Sequence, residues 1–148
     1  MSPVFTLKIV TPEKLLREQE VASVTLPLQD GEATLLADHE AYIGVAKPGE
    51  VRVRSTSGEE ETFALSGGFV EFHNNVLVVL ADSAEPAAAI DIARAEEAKK
   101  RAEELMQRAP DMDEEAYQRT AALLEKELTR LKVARKHHSN RGTLPSSE

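Results

Sequence analysis

The chain has 148 residues and a net charge of −8, which indicates a small acidic protein of one average domain or two small ones. It contains no cysteine, so disulfide frameworks and thiolate metal sites are excluded. Residues 1–86 hold 14 acidic and 6 basic side chains, whereas residues 87–136 hold 11 of each. The negative charge therefore belongs to the N-terminal part, and it argues against nucleic-acid binding there.

The N-terminus lacks a basic and then apolar leader, which argues against secretion. The longest strongly apolar run, residues 76–81, is much shorter than the ~20 residues that a membrane-spanning helix needs. We therefore expect any association with a membrane to depend on a partner.

Residues 4–82 show the pattern of short β-strands separated by turns. In the first segment Phe5, Leu7 and Ile9 alternate with other residues, as in a strand with one buried face. Gly67-Gly68 is more typical of a bend or of close strand packing than of a phosphate loop, because no Gly-Lys-Ser/Thr follows. Further extended segments, with turn signals between them, cover residues 15–21, 22–26, 50–54, 60–65 and 76–81. This succession predicts an N-terminal antiparallel β-sandwich, or a flattened barrel, of about 8–10 strands.

The polar loop Asp38-His39-Glu40 contains the residue types of metal and acid–base sites. Three adjacent residues point in different directions, however, and no second histidine lies near them in sequence. We therefore favour a histidine that is packed or hydrogen-bonded locally, and we expect neither catalytic residues nor a metal site.

Residues 87–136 have the periodicity of two amphipathic helices, which predicts an α+β fold ending in an antiparallel two-helix hairpin. Pro110 ends the first helix, and either Asp111 or Asp113 can cap the second. The apolar positions recur at spacings of three and four. They are Ala95, Ala98, Ala102, Leu105 (with Met106) and Ala109 on the first helix, and Tyr117, Ala121, Leu124, Leu128 and Leu131 on the second.

The seam between these helices is thin, because most contact positions on the first helix are alanine. At ~25 cal/mol per Å² such a seam stabilises the pair only weakly, so we expect a hairpin that needs a second surface and can open. An ordinary, permanently packed hairpin is the alternative.

Cations gather toward the end of the second helix, at Lys126, Arg130, Lys132, Arg135 and Lys136. They exceed what the helix dipole requires, so we infer an acidic protein partner for this end. Residues 137–148 are expected to form a disordered polar tail. The predicted division is therefore a sandwich over 1–86, a hairpin over 87–136 and a tail over 137–148.

Several short motifs occur in a characteristic order along the chain. They are Val24-Thr25-Leu26-Pro27, Asp30-Gly31-Glu32, His39, Lys47-Pro48-Gly49-Glu50-Val51, Ser66-Gly67-Gly68-Phe69-Val70 and Ile90-Asp91-Ile92-Ala93-Arg94-Ala95. Their succession resembles the epsilon subunit of bacterial F-type ATP synthase over residues 4–136. The resemblance implies a sandwich that packs on the gamma subunit and touches the c subunits of the membrane rotor ring. It also implies helices that either fold against the sandwich or extend between the catalytic alpha and beta subunits.

By this resemblance the chain is a non-catalytic subunit of the central stalk that couples the rotor ring to the catalytic head. Its extended helices would oppose ATP hydrolysis. The resemblance places it peripherally at the cytoplasmic face of the bacterial inner membrane, held there only through the complex, with no required cofactor.

In bacterial members that bind ATP, Ile-Asp-x-x-Arg-Ala is the signature of the nucleotide site, and residues 90–95 match it. The resemblance makes Asp91 and Arg94 the main candidates, with Ile90 and Ala95 completing the signature and Glu85, Arg101, Lys126 and Arg130 as further matches. Arginine suits phosphate through bidentate donation, whereas Lys126, which replaces a family arginine, keeps the charge but loses the planar fork. ATP is therefore a candidate regulatory ligand. Helix capping by Asp91, together with a local Asp91–Arg94 ion pair, is the alternative explanation.

Two other functions stay open from the residues. One is a stand-alone ATP-sensing module that acts on another partner. The other is a small enzyme that uses the Asp38-His39-Glu40 loop, which lacks a supporting constellation.

Overall fold

The structure, a computed structural model, describes residues 3–142 and the side chains of residues 3–140. Ten strands are followed by two long helices, α1 (Ile92–Met106) and α2 (Glu114–Gly142), and short 3₁₀ turns lie at Ala87–Ala89 and Ala109–Asp111. The α+β prediction is confirmed. The strands are β1 (Phe5–Val10), β2 (Leu15–Val21), β3 (Ser23–Leu28), β4 (Gly31–Leu36), β5 (Tyr42–Ala46), β6 (Gly49–Arg54), β7 (Glu60–Leu65), β8 (Gly68–His73), β9 (Val76–Ala81) and β10 (Ala84–Pro86).

The strands form one hydrogen-bonded ladder in the order β10-β7-β6-β3-β5-β8-β9-β1-β2, with β4 paired to β3. A single residue pair, Leu28 with Ala46, joins β3 to β5, and the ladder folds there into two layers. The first layer contains β10, β7, β6, β3 and β4, and the second contains β5, β8, β9, β1 and β2. The pairs are antiparallel except that β1 runs parallel to β9, which is a departure from the predicted antiparallel sandwich.

Large apolar side chains fill the space between the layers. Phe5, Leu7 and Ile9 of β1 are all buried, as their alternation predicts. Phe63 of β7 is buried from the first layer, and the ring of Phe72 in β8 lies 5.5 Å from that of Phe5, edge to face. The sandwich therefore has its own continuous core.

Gly68 lies where β8 passes close to β9, with φ +152°. A Cβ at this position would lie 2.1 Å from the carbonyl oxygen of Leu80, so any side chain would collide with the neighbouring backbone. The close strand packing expected at Gly67-Gly68 is thus what the structure contains.

The hairpin lies on the outer side of the first layer, against β7 and β6. A small buried cluster joins them: Ala64 of β7, Ala87, Ile90, Ala95, Leu131, Val133 and Ala134. The buried stripe of α2 runs through Glu127, Leu131 and Ala134, at spacings of four and three. Because this stripe leaves out Leu128, that residue is 45% exposed rather than on the seam as predicted.

The apolar seam between α1 and α2 is buried near the sandwich and exposed toward the turn that joins the two helices. Ala95, Ala102 and Leu131 are buried as predicted, but Leu105 and Tyr117, which lie near the turn, are exposed. Here the helices have passed the edge of the cluster that joins them to the sandwich. The expected weak contact between the two helices is therefore weakest at their free end.

The start of α2 matches one of the two predicted caps, whereas its end differs from the predicted boundary. The Oδ1 atom of Asp113 accepts a hydrogen bond from the Ala116 amide at 2.7 Å, so Asp113 rather than Asp111 is the cap. The helix continues to Gly142, through residues 137–142 that were expected to belong to a disordered tail. No helix-breaking residue precedes Gly142, and each added residue gains a backbone hydrogen bond. Residues 143–148, the rest of that tail, lie outside the described part.

Within the part of the chain that the structure describes, neither helix combines the length and the apolar content needed to cross a bilayer.

Candidate functional site

The signature residues 90–95 form the start of α1. Ile90 and Ala95 are buried against the sandwich and α2, where they serve packing. Asp91 caps the helix, because its Oδ1 atom accepts a hydrogen bond from the Arg94 amide at 3.2 Å. Asp91 and Arg94 are both exposed, and the alternative ion pair between their side chains is not formed. The Arg94 guanidinium has no carboxylate partner among the described side chains, so it is available to an anion.

Arg130 connects α2 to the end of the sandwich. Its Nε donates to the Oε1 atom of Glu85 in β10, and its Nη1 donates to the Oε2 atom of Glu127 at 2.8 Å. The Glu127 side chain is only 6% exposed. Burial alone would lower the pKa of Arg130, but the hydrogen bonds that its guanidinium donates to Glu85 and Glu127 outweigh burial and hold the pKa above its ordinary value. Two carboxylates thus share one permanently charged guanidinium.

Three of the predicted ATP residues, Glu85, Lys126 and Arg130, line one cleft together with Ser66 and Ser83. Its volume is about 10 Å³, roughly what a single water molecule needs. The hairpin in this position therefore leaves no room for a nucleotide between these side chains.

The remaining polar candidates lie elsewhere on the hairpin. Asp91, Arg94 and Arg101 are exposed on α1 and do not line the cleft. From Lys126 and Ser83 the surface opens into a groove of about 320 Å³ that reaches Arg119. The structure thus brings together the candidates of α2 and β10, but not those of α1 with them.

A second ionic contact joins α2 to the middle of β6, and we call it the Glu50 network: Glu32, Glu50, Arg52 and Lys136. The Oε1 atom of Glu50 accepts hydrogen bonds from Lys136 Nζ and Arg52 Nη1, each at 2.6 Å. Arg52 also donates through Nη2 to Glu32 at 2.8 Å. Burial by itself would raise the pKa of Glu50, but the hydrogen bonds from Lys136 and Arg52 outweigh it and hold the pKa below its ordinary value.

A third ion pair holds the two helices together. Arg135 Nη2 of α2 donates to Glu96 Oε1 of α1 at 2.7 Å, and both side chains are about half exposed. Three of the five cations at the end of α2, Arg130, Arg135 and Lys136, therefore have acidic partners within this chain.

Sequence reasoning named Glu85 only as a candidate ATP residue, and it did not pair Glu127, Glu50 or Glu96 with the cations of α2. Glu127 stands three residues before Arg130 on a helix, so an i,i+3 pair was visible in the sequence although its burial was not. Glu50 and Lys136 are too far apart in sequence for any local pattern to connect them.

The second layer carries an exposed stripe that we call the apolar face: Ile43, Val45, Phe69 and Leu80. Ile43 is 78% exposed and Phe69 58%. Phe69 pairs directly with Val45 on one side and with Leu80 on the other, so the stripe is continuous across β5, β8 and β9. It lies on the opposite layer from the hairpin. Contiguous exposed apolar surface of this kind marks an interaction site.

The Asp38-His39-Glu40 loop is organised by local contacts. His39 Nδ1 lies 2.7 Å from the Glu40 carbonyl oxygen, and its ring packs 5.6 Å from that of Phe72. Asp38, at φ 65°, bonds to Asn75 through both backbone and side chain. The histidine is thus packed and hydrogen-bonded locally, as favoured from the sequence. Among the described residues, no group of three acidic or histidine side chains is arranged to hold a metal ion.

Comparison with known proteins covers both parts of the chain. Residues 4–87 match the family described as "ATP synthase, Delta/Epsilon chain, beta-sandwich domain", and residues 89–135 match "ATP synthase, Delta/Epsilon chain, long alpha-helix domain". The ATP synthase epsilon chain of Clostridium novyi is 41% identical over 113 residues, which are 76% of this chain and 86% of that one. The epsilon chain of Thioalkalivibrio sulfidiphilus is 40% identical over 138 residues, 92% of this chain and 96% of its own.

A solved structure has the same fold. It is a chain in the cryo-EM structure of the Euglena gracilis mitochondrial ATP synthase, described as OSCP/F1/c-ring in rotational state 1. The TM-score is 0.72 at 24% identity, and the match covers 90% of this chain and 82% of that chain.

Proposed function

This chain belongs to the ATP synthase delta/epsilon family, as an epsilon chain, and from that premise we propose that it is a non-catalytic subunit of the central stalk. In this role it couples the rotor ring to the catalytic head and restrains ATP hydrolysis through α1 and α2. The observation that carries the proposal is that the apolar face and the hairpin occupy opposite layers of one sandwich.

The apolar face supports a permanent attachment. Its four side chains form a continuous stripe that a partner can cover without touching the hairpin. We assign this face to the gamma subunit, and the ends of the sandwich to the c subunits of the rotor ring. The chain then works peripherally at the cytoplasmic face of the bacterial inner membrane, held there by the complex.

The hairpin supports a releasable contact. Its buried cluster is small, and two ion pairs, Arg130 with Glu85 and Lys136 with Glu50, add to the contact with the sandwich. Arg135 and Lys136 are each about half exposed, and ion pairs of exposed cations are worth about 0.2–1 kcal/mol, so acidic groups on another protein can take over as their partners. The catalytic alpha and beta subunits would provide those groups when the hairpin extends.

ATP binding requires a change in the arrangement around Arg130. The 10 Å³ cleft has to widen, and phosphate oxygens have to replace Glu85 as the partner of Arg130, with Lys126 and Arg94 adding charge. We propose that bound ATP selects a folded hairpin rearranged in this way. It would then stabilise the compact form by RT ln(1 + [L]/Kd).

Truncation tests the regulatory role. A chain ending after Pro86 keeps all ten strands and the sandwich core but lacks both helices. It should still assemble with the other subunits of the synthase, while latent ATP hydrolysis by the complex rises. Hydrolysis that stays as low as with the full chain would contradict inhibition by the hairpin, and failure to assemble would contradict the role of the sandwich.

Calorimetry separates ATP sensing from helix capping. Asp91→Asn keeps a good capping side chain but removes the charge, whereas Asp91→Ala removes both. If the carboxylate contacts the nucleotide, both variants and Arg94→Gln should bind ATP more weakly than the wild type. Equal ATP binding by all four proteins would assign Asp91 to capping alone. Co-purification of this chain with the large ATPase subunits would support the central-stalk role and contradict the stand-alone ATP-sensing module.

A further inference from the structure

A second cavity, of about 380 Å³, lies between α2 and the turn that leads into β6. We call it the lysine groove. Pro27, Lys47 and Pro48 line it from the sandwich, and Thr129, Lys132 and Lys136 line it from α2. It shares only Thr129 with the cleft that contains Glu85, Lys126 and Arg130. The candidate ATP residues thus contribute nothing to its walls.

The lysine groove carries an excess of positive charge. Four cations line it, Lys47, Arg52, Lys132 and Lys136, against the two carboxylates Glu32 and Glu50. Both carboxylates are already engaged, because Arg52 donates to each of them and Lys136 donates to Glu50. Two positive charges therefore remain without a counterpart in the groove.

The unmatched charges stand on opposite walls. Lys47 and Lys132 are exposed, and neither forms an ion pair with any side chain that the structure describes. Lys47 belongs to the sandwich, and Lys132 belongs to α2, the helix that is released from the sandwich in the proposed function. A single multivalent anion in the groove could contact both.

The size and the walls define the class of ligand. A volume of 380 Å³ falls within the range of small-molecule sites, roughly 300–1,000 Å³. Lysine ammonium groups suit phosphate oxygens as point charges. Pro27 and Pro48 add an apolar edge. We propose that the lysine groove binds a small anion with a chain of phosphates, which bridges Lys47 and Lys132 and fastens α2 to the sandwich. This inference uses the position of the hairpin on the sandwich and does not depend on its inhibitory role.

Titration of the full chain with inorganic tripolyphosphate at low ionic strength tests the site. Lys47→Gln and Lys132→Gln remove one charge each from the groove. Lys14→Gln makes the same change at an exposed lysine in the β1–β2 turn, outside the groove. Calorimetry should give equal affinity for the wild type and Lys14→Gln, and about fivefold or greater weakening for each groove variant. Absence of binding by the wild type, or equal weakening in all three variants, overturns the proposal.

Hydrogen exchange tests the bridge, and a second ligand identifies the source of the phosphates. Tripolyphosphate should slow amide exchange in residues 129–136 of the wild type and not of Lys132→Gln; binding without this protection contradicts fastening.

ATP is compared with tripolyphosphate in the Arg94→Gln background, which is designed to weaken the candidate ATP site. Tighter binding of ATP indicates a nucleotide, and equal binding indicates the phosphate chain alone; both support the groove. ATP binding that Lys47→Gln and Lys132→Gln leave unchanged places that nucleotide elsewhere and overturns the groove as its site.

Discussion

The sandwich and the hairpin are held together by different kinds of contact. Between the layers of the sandwich lie Phe5, Phe63, Phe72 and many buried leucine and valine side chains. The cluster under the hairpin has seven buried residues, of which four are alanine. Fully burying a large apolar side chain stabilises by about 1.5–3 kcal/mol, and an alanine methyl group stabilises by much less. The sandwich core should therefore be held together much more strongly than the contact between the hairpin and the sandwich.

Ion pairs supplement the small apolar contact between the hairpin and the sandwich. Arg130 with Glu85 and Lys136 with Glu50 join α2 to the sandwich, while Arg135 with Glu96 joins α2 to α1. Such contacts are directional, so they specify one docking geometry. They can also be exchanged for equivalent charges on another surface. This difference in contacts supports the proposal that the sandwich stays attached to its partner while the hairpin can be released.

The largest expected effect comes from opening the sandwich core. Phe72→Ala removes a fully buried ring that packs on Phe5, and should reduce the free energy of unfolding by about 3–5 kcal/mol. Urea denaturation should show the same loss in the full chain and in the chain ending after Pro86. A loss that depends on the hairpin would contradict the independence of the two regions.

Leu131→Ala should affect docking of the hairpin and spare the sandwich. Leu131 is 2% exposed and is the largest aliphatic side chain that α2 contributes to the cluster. We expect docking to weaken by about 2–3 kcal/mol, seen as faster amide exchange in α2, with the urea midpoint of the sandwich unchanged. Leu128→Ala is the matched control, because that side chain is 45% exposed and should change exchange very little.

Arg130→Gln should weaken docking by about 1–3 kcal/mol, because it leaves the buried Glu127 carboxylate and Glu85 without their guanidinium. Amide exchange in residues 126–134 measures this effect. Arg119→Gln removes an exposed arginine whose one ion pair among the described side chains is with Glu115, four residues earlier, and should cost about 0.5 kcal/mol or less. Similar effects of the two substitutions would mean that the contact to Glu85 contributes nothing to docking.

Among the substitutions at contacts between the hairpin and the sandwich, Glu50→Gln should reduce stability least at neutral pH, by about 1 kcal/mol or less. It should also change how stability depends on pH. The pKa of Glu50 in the folded chain lies below its ordinary value of 4.5, so the unfolded chain binds this proton more readily. Its contribution to stability is complete above pH 4.5 and is lost as the pH falls through the lowered pKa. Stability of the wild type should therefore fall more steeply than that of Glu50→Gln below pH 4.5.

The stabilities of the wild type and Glu50→Gln can be compared by thermal unfolding from about pH 3 to about pH 6, a range that brackets the titration of carboxylates. Glu20→Gln, at an exposed glutamate of β2, is the control and should follow the wild type. Parallel curves for the wild type and Glu50→Gln would show that the contact between Lys136 and Glu50 does not stabilise the docked hairpin.

Local features were predictable because their causes are local. Alternation of Phe5, Leu7 and Ile9 predicted a half-buried strand, and Pro110 predicted the break between the helices. The cap at Asp91 follows from a side chain that reaches an amide three residues later. The extension of α2 beyond Lys136 was missed because polar composition, rather than the absence of a helix breaker, guided that boundary.

Features that join distant residues were not predictable. Strand alternation does not reveal that β1 pairs in parallel with β9, since the same pattern suits an antiparallel neighbour. Periodicity placed Leu128 on the buried seam, yet Glu127 is the buried residue because it forms a hydrogen bond with Arg130, which also reaches Glu85 of the sandwich.

The sequence by itself determined the order of strands and helices, the alanine content of the seam and the cations of α2, because these depend on neighbours within a few residues. Only the tertiary structure decided which carboxylates those cations meet, that the Glu85–Arg130 cleft is closed and that the lysine groove is open. Those outcomes depend on how α2 lies across β6 and β7, and packing between segments remote in sequence sets that position.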